Sequence, residues 1–240
     1  MEGMTSIQDN LVKVQERISE AAKASGRSVT DISLLAVSKT FPASDVRLAY
    51  EAGQRSFGEN YVQEGVSKIT ELSDIRAELE WHFIGPLQSN KSRDVAESFD
   101  WVHSIDRLKI AQRLNDQRPS ELPPLNVCVQ VNISGESSKS GVEPNEVANL
   151  CIAISQMPHL RLRGLMSIPE PTDDEVQQKA DHHQLFTIYN TLKQNPSLQI
   201  ESVQLDTVSM GMSSDMSAAI AEGSTMVRIG TAIFGKRTYL

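Results

Sequence analysis

Apolar positions along this chain follow two periods. Ile7, Leu11, Val14 and Ile18 recur at helical spacing, which predicts an amphipathic helix over 5–25 with Gly26 as its stop. Beyond it, short β-prone runs alternate with helical patterns. The first run, Ile32-Ser-Leu-Leu-Ala-Val-Ser-Lys39-Thr40, is too short for a helix and is followed by Phe41 and Pro42, so it reads as a buried parallel strand ending in a lysine. Further strands are expected at 55–60, 81–85, 101–104, 126–132, 160–166, within 198–209 and at 225–229. Helices are expected at 44–51, 62–72, through 93–97, and at 107–115, 145–156, 173–194 and 214–221. The segment 117–124 holds Pro119, Pro123 and Pro124 and reads as a surface loop.

Eight strands with intervening helices favour a parallel sheet, and the count favours closure into a single (β/α)8 barrel of the TIM type, with an extra helix in front. An open doubly wound sheet is the alternative. The chain has 240 residues, close to the ~250 of such a barrel. No repeat, low-complexity tract or long linker divides it, so one domain over 1–240 is expected.

The formal net charge of −8 and the lack of a basic cluster argue against nucleic acid and against a membrane surface as partners. The amino terminus lacks a basic region followed by an apolar run, and no stretch is long and apolar enough to cross a bilayer. Cys128 and Cys151 sit in apolar stretches without metal-ligand spacing and read as core thiols, which suits a reducing cytoplasm.

Three features converge where barrels place their chemistry, at the carboxyl ends of the strands. Lys39 offers an amine able to form a Schiff base. The loops Ser209-Met-Gly-Met-Ser213 and Arg228-Ile-Gly-Thr-Ala-Ile-Phe-Gly235 follow strands seven and eight. Gly211 and Gly230 would let the backbone approach an anion closely, and Ser209, Ser213 and Thr231 add hydroxyl donors. A Schiff-base lysine beside a phosphate cradle suits pyridoxal 5'-phosphate (PLP) or a phosphorylated sugar handled by an aldolase. Arg228 could face a pyridine nitrogen, keeping it unprotonated, or make a second phosphate contact; the sequence leaves the two readings open.

Five stretches carry a resemblance. They are Phe57-Gly-Glu-Asn60, Trp81-His-Phe-Ile-Gly-Pro-Leu-Gln-Ser-Asn-Lys91, Val131-Asn-Ile-Ser-Gly-Glu-Ser-Ser-Lys-Ser-Gly141, Ser209-Met-Gly-Met-Ser-Ser-Asp215 and Val227-Arg-Ile-Gly-Thr-Ala-Ile-Phe-Gly235. Together they resemble the motifs of the pyridoxal-phosphate homeostasis protein family, over nearly the whole chain. The resemblance implies a fold-type III PLP barrel, similar to the barrel domain of alanine racemase. It implies that Lys39 holds the cofactor as an internal aldimine and that Ser209, Gly211, Gly230 and Thr231 contact the phosphate. It further implies that Arg228 faces the pyridine nitrogen.

Around these, Asn60 is a candidate for the ring's phenolic oxygen or a helix cap, and His82 for a supporting group beneath the cofactor. Met166 is a candidate for packing on the ring, Lys91 reads as a surface lysine, and Ser134, Glu136 and Lys139 as a polar loop able to gate the site. The adjacent His182 and His183 do not read as a metal site. An alanine-racemase-like enzyme needs two bases, and in alanine racemase the second is a tyrosine from an all-β domain of the neighbouring subunit. The chain ends at Leu240 without such a domain, and Tyr50, Tyr61, Tyr189 and Tyr239 do not read as barrel-mouth residues. The expectation is a monomeric cytoplasmic protein that binds PLP and buffers or delivers it, with apo PLP enzymes as recipients and without strong catalysis. A PLP-dependent racemase or lyase is the alternative.

Overall fold

In a computed structural model, residues 6–135 and 140–236 are described. Eight parallel strands close into a barrel in sequence order, the first pairing with the eighth. They are β1 Ser33–Val37, β2 Ser56–Glu59, β3 Glu80–Phe83, β4 Trp101–Ile105, β5 Leu125–Gln130, β6 Leu160–Met166, β7 Val203–Ser209 and β8 Met226–Ile229. The helices are α1 Ile7–Ala24 in front, then α2 Ala43–Glu51, α3 Val62–Glu71, α4 Ser92–Ser98, α5 Leu108–Gln117, α6 Val147–Ser155, α7 Glu175–Lys193 and α8 Met216–Ala221. A single turn, α9 Thr231–Phe234, follows β8. The closed barrel removes the open-sheet alternative.

The main core lies between the strands and the helical ring. Leu11, Val14 and Ile18 of α1 are buried in it, as are Phe57, Trp81, Phe83, Val127 and Leu165. A capping box fixes the start of α1: Ser6 accepts from the Asp9 N–H and Asp9 accepts from Ser6. Inside the barrel, Leu35, Val37, Ile84 and Met226 form one apolar cluster and Trp101, Cys128 and Met166 another.

Several expected boundaries move. β7 occupies Val203–Ser209, inside the expected stretch and after a 3-10 turn at Pro196–Leu198, whereas β5 stops at Gln130, after which Val131 bridges to Val142. α8 begins at Met216, two residues late, which leaves Ser214 in the loop. The short α9 is too brief to show a periodicity of its own.

Candidate functional site

The apolar run of β1 ends at Val37, so Lys39 stands two residues beyond the strand in a tight turn. Thr40 has φ +68°, the left-handed region, which costs a β-branched residue roughly 1–3 kcal/mol and persists only where the surroundings hold it. Here they do. The Thr40 N–H donates to Glu64 Oε1 at 2.5 Å, and the Ser38 hydroxyl donates to Glu59 Oε1 at 2.6 Å. Lys68 Nζ donates to the Ser38 carbonyl, to Glu59 Oε1 and to Glu64 Oε1, each at 2.7 Å. Burial pushes the Glu59 carboxyl up, opposed by the neighbouring Lys68. Both residues flanking Lys39 are therefore tied to one buried cluster from β2 and α3.

Lys39 lines a cavity of about 420 Å³ at the carboxyl ends of the strands, together with Asn60, Arg228, Gly230, Thr231 and Ser213. Larger hollows occur on the helical flank and at the barrel's opposite end, but Lys39 faces neither. Val37, Ile84 and Ile168 give the cavity apolar walls, and Met212 and Ser214 complete the side made by the loop after β7. Asn60 Oδ1 is buried without a hydrogen-bond partner among the described residues. The residue at the start of α3 is Tyr61, so Asn60 is not that helix's cap. A side chain at Gly85 would run into the Asn60 carbonyl, which explains the glycine after β3.

Arg228 enters from β8, buried, with Nη1 2.8 Å from Ser209 Oγ and Nη2 2.8 Å from the Ser167 carbonyl. Burial pushes its pKa down to about 10, still a cation at neutral pH. Ser209 lies below the cavity wall, with its hydroxyl shared between Arg228 and His103 Nδ1 at 2.8 Å. Gly211 has φ +99°, and a Cβ there would lie 2.6 Å from the Ala219 Cβ, so it lets α8 pack closely. The hydroxyls actually on the wall are those of Ser213, Ser214 and Thr231.

His82 is fully buried in the lumen, stacked on Trp101 with ring centroids 5.0 Å apart. Met166 packs with Trp101 and Cys128 in the same interior, and Ile168, two residues on, is the residue of this segment that lines the cavity. Sequence reasoning missed His103, which hydrogen-bonds both His82 and Ser209. Its signal was a histidine in each of two consecutive strands.

The loop after β7 is braced from behind. Asp215 accepts the Met212 N–H at 2.7 Å and faces His182 Nε2 at 2.9 Å, while Arg17 of α1 donates to the Ser213 carbonyl at 3.0 Å. His183 pairs separately with Glu222 at 2.9 Å. The two histidines thus look across to α8 and its approach, beyond the Asp181 that adjoins them in sequence, and no metal-holding cluster forms among the described residues. Glu136, Lys139 and Tyr239 lie outside the described residues.

Residues 7–238 match the model of the alanine racemase N-terminal domain. A protein of Escherichia coli named pyridoxal phosphate homeostasis protein is 58% identical over 237 residues, covering 98% of this chain and 99% of that one. The chain belongs to the pyridoxal phosphate homeostasis protein family. A Pseudomonas aeruginosa member of the same name is 56% identical over 236 residues, 98% of each chain. PipY of Synechococcus elongatus, solved with PLP bound, shares 38% identity at a TM-score of 0.78, covering 91% of this chain and 100% of that one. The closed barrel read from the alternation of strands and helices is the architecture of this family. No helix among the described residues is long and apolar enough to cross a membrane.

Proposed function

We propose that the chain binds PLP in the cavity beside Lys39 and serves PLP homeostasis, holding the cofactor reversibly for delivery to apo PLP enzymes. The observation that carries this reading is the placement of Lys39, the cationic Arg228 and the unpartnered amide oxygen of Asn60 on one cavity. The residues fit the group. A buried orphan oxygen is costly unless something bonds it, and the Asn60 carboxamide, turned end for end, offers an N–H to a phenolic oxygen instead. Gly230, where a Cβ would lie 3.1 Å from the Val37 carbonyl, lets the start of α9 pack against the end of β1 beside the cavity. Ser213, Ser214 and Thr231 can donate to a phosphate there.

PLP would supply an aldehyde and an electron-withdrawing ring, and Lys39 would be the amine that holds the aldehyde. Arg228 would face the ring nitrogen without protonating it, because a guanidinium keeps its proton. That leaves the ring a weak electron sink. Tyr50 and Tyr61 sit on or beside helices, and the Tyr189 hydroxyl is taken by the Leu205 carbonyl at 2.8 Å. No tyrosine lines the cavity among the described residues, so a second base opposite Lys39 is not supplied from there. We therefore infer a cytoplasmic, monomeric, single-domain carrier without strong catalysis of its own.

The test is the visible spectrum of the purified protein before and after borohydride reduction, with peptide mapping. A yellow protein whose pyridoxyl group maps to Lys39 supports the reading. A colourless protein that takes up no added PLP overturns it. Incorporation of solvent deuterium at the alpha carbon of an added amino acid, at turnover rates, would make it a racemase-like enzyme instead.

A further inference from the structure

A file of polar side chains runs through the barrel beneath the cavity. Arg228 Nη1 lies 2.8 Å from Ser209 Oγ, and Ser209 Oγ lies 2.8 Å from His103 Nδ1. His103 Nε2 lies 2.8 Å from His82 Nδ1, and His82 Nε2 lies 2.9 Å from Glu80 Oε1. His82, His103 and Ser209 are fully buried, whereas the Glu80 side chain is 47% exposed. β4 and β7 are not neighbours in the sheet, so the contact between His103 and Ser209 crosses the lumen. Glu80 opens β3, so the file starts at the amino ends of the strands and finishes at the cavity on the carboxyl ends.

The two termini set the direction of every bond between them. A guanidinium only donates, and an ionised carboxylate only accepts. If Arg228 donates to Ser209, the hydroxyl is free to donate to His103 Nδ1. His103 then donates from Nε2 to His82 Nδ1, and His82 donates from Nε2 to Glu80. Each polar hydrogen is used once. The reversed file needs His82 as an imidazolium, or Glu80 protonated. Ser209 would then receive from both Arg228 and His103, and its own hydrogen would have no acceptor in the file.

The surroundings agree with the forward direction. Burial pushes the Glu80 carboxyl up, but the hydrogen bond with His82 opposes it and the group lies at about 2, an ionised acceptor at this end of the file. Burial keeps His103 well below the ordinary imidazole value, and the nearby Arg228 charge adds to it. From β6, Arg163 stacks over Trp101 with its guanidinium carbon 4.4 Å from the ring centroid, and its charge is answered by Asp206 of β7 at 2.7 Å. From β5, Cys128 is a buried thiol pushed up by burial. The file does not conduct protons, since the guanidinium at its end gives none away. It is a tie.

We propose that His103 and His82 are positioning residues, both neutral with the proton on Nε2, which tie Arg228 to Glu80 and so make the aim of the cavity arginine depend on a carboxylate at the opposite end of the barrel. The consequence for PLP rests on the function proposed above; the protonation pattern does not.

The first arm is nitrogen-15 NMR of the ligand-free full chain at neutral pH, reading the ring nitrogens of both histidines. Two neutral rings with protonated Nε2 support the tie, and an imidazolium at His82 or a proton on Nδ1 of either ring overturns it. In Glu80→Ala, His82 should populate both tautomers, while Glu80→Gln, which keeps an acceptor, should restore the wild-type pattern. The second arm is PLP titration. Glu80→Ala should weaken affinity about fivefold and shift the bound cofactor's absorbance maximum, with Glu80→Gln close to wild type. Wild-type tautomers and wild-type affinity in Glu80→Ala would refute the coupling. Should the wild-type chain bind no PLP, the function falls, and the tautomers alone decide the tie.

Discussion

Lys68 Nζ donates to the carbonyl oxygen of Ser38 at 2.7 Å, which places one buried lysine against the backbone that presents another, Lys39. The two have opposite environments. Lys68 is enclosed, with a side-chain exposure of 5%, and bonded to Glu59 and Glu64, whereas Lys39 lines the cavity. Glu59 Oε1 takes both the Lys68 ammonium and the Ser38 hydroxyl, while its Oε2 has no hydrogen-bond partner among the described residues.

Replacing Lys68 by Met leaves the Glu59 carboxylate buried and unpaired, so it should destabilise the fold by about 3 kcal/mol at pH 7 in urea unfolding. The sign with pH follows from the direction of the Glu59 shift, which is upward. A carboxyl whose folded pKa exceeds its unfolded value binds protons more tightly when folded. Acidification therefore favours the folded variant, and its deficit should shrink between pH 7 and pH 5. A deficit that grows on acidification would contradict the assignment. Adding Glu59→Gln should recover part of the loss, because the buried charge is then gone.

Asp215 braces the cavity loop, and Asp215→Ala should cost about 1–2 kcal/mol and loosen the segment carrying Ser213 and Ser214. Burial raises the Asp215 pKa, but the bonds from His182 and the Met212 N–H outweigh it and leave it below 3.8. A carboxyl depressed in this way contributes fully above its unfolded pKa and loses the contribution as pH falls through the folded one. The stability gap between wild type and variant should stay constant from neutrality to about pH 5 and close below about pH 4. Chemical unfolding at a series of pH values measures it.

The barrel was legible because each strand is a short apolar run and each helix keeps a wider period, and these local signals survive without knowledge of contacts. Lys39, Asn60, Arg228, Gly230 and Thr231 could be nominated from strand ends alone, since topology decides which end faces the cavity. What lay out of reach was the spending of hydrogen bonds. Nothing in the order of residues says that the Ser209 hydroxyl is taken by Arg228 and His103, or that Gly211 serves the packing of Ala219. The roles of His103 and His182 depend on partners far off in the chain, Ser209 and His82 for the first and Asp215 for the second.

Both cysteines are buried, and burial pushes the Cys151 thiol up to about 12 and Cys128 higher still. A thiolate is the reactive form. Neither should react with a disulfide reagent in the native protein at pH 8, and both should titrate after unfolding in urea. Rapid native labelling of either would place it at the surface.

Lys39→Ala should remove the imine anchor and any visible band from added PLP, yet keep the fold within about 1 kcal/mol of wild type, because the side chain stands on a cavity wall. Thermal melting monitored by circular dichroism, beside the absorbance of the PLP-treated protein, reads the two effects separately. The turn is held by Ser38, Thr40, Glu59, Glu64 and Lys68, none of which is changed, so its left-handed Thr40 should persist. Lys68→Met should do the reverse, losing stability while the folded fraction still forms the band. If Lys39→Ala unfolds the protein, or if Lys68→Met abolishes the band in protein that melts like wild type, then the anchoring and clamping roles of the two lysines have been assigned the wrong way round.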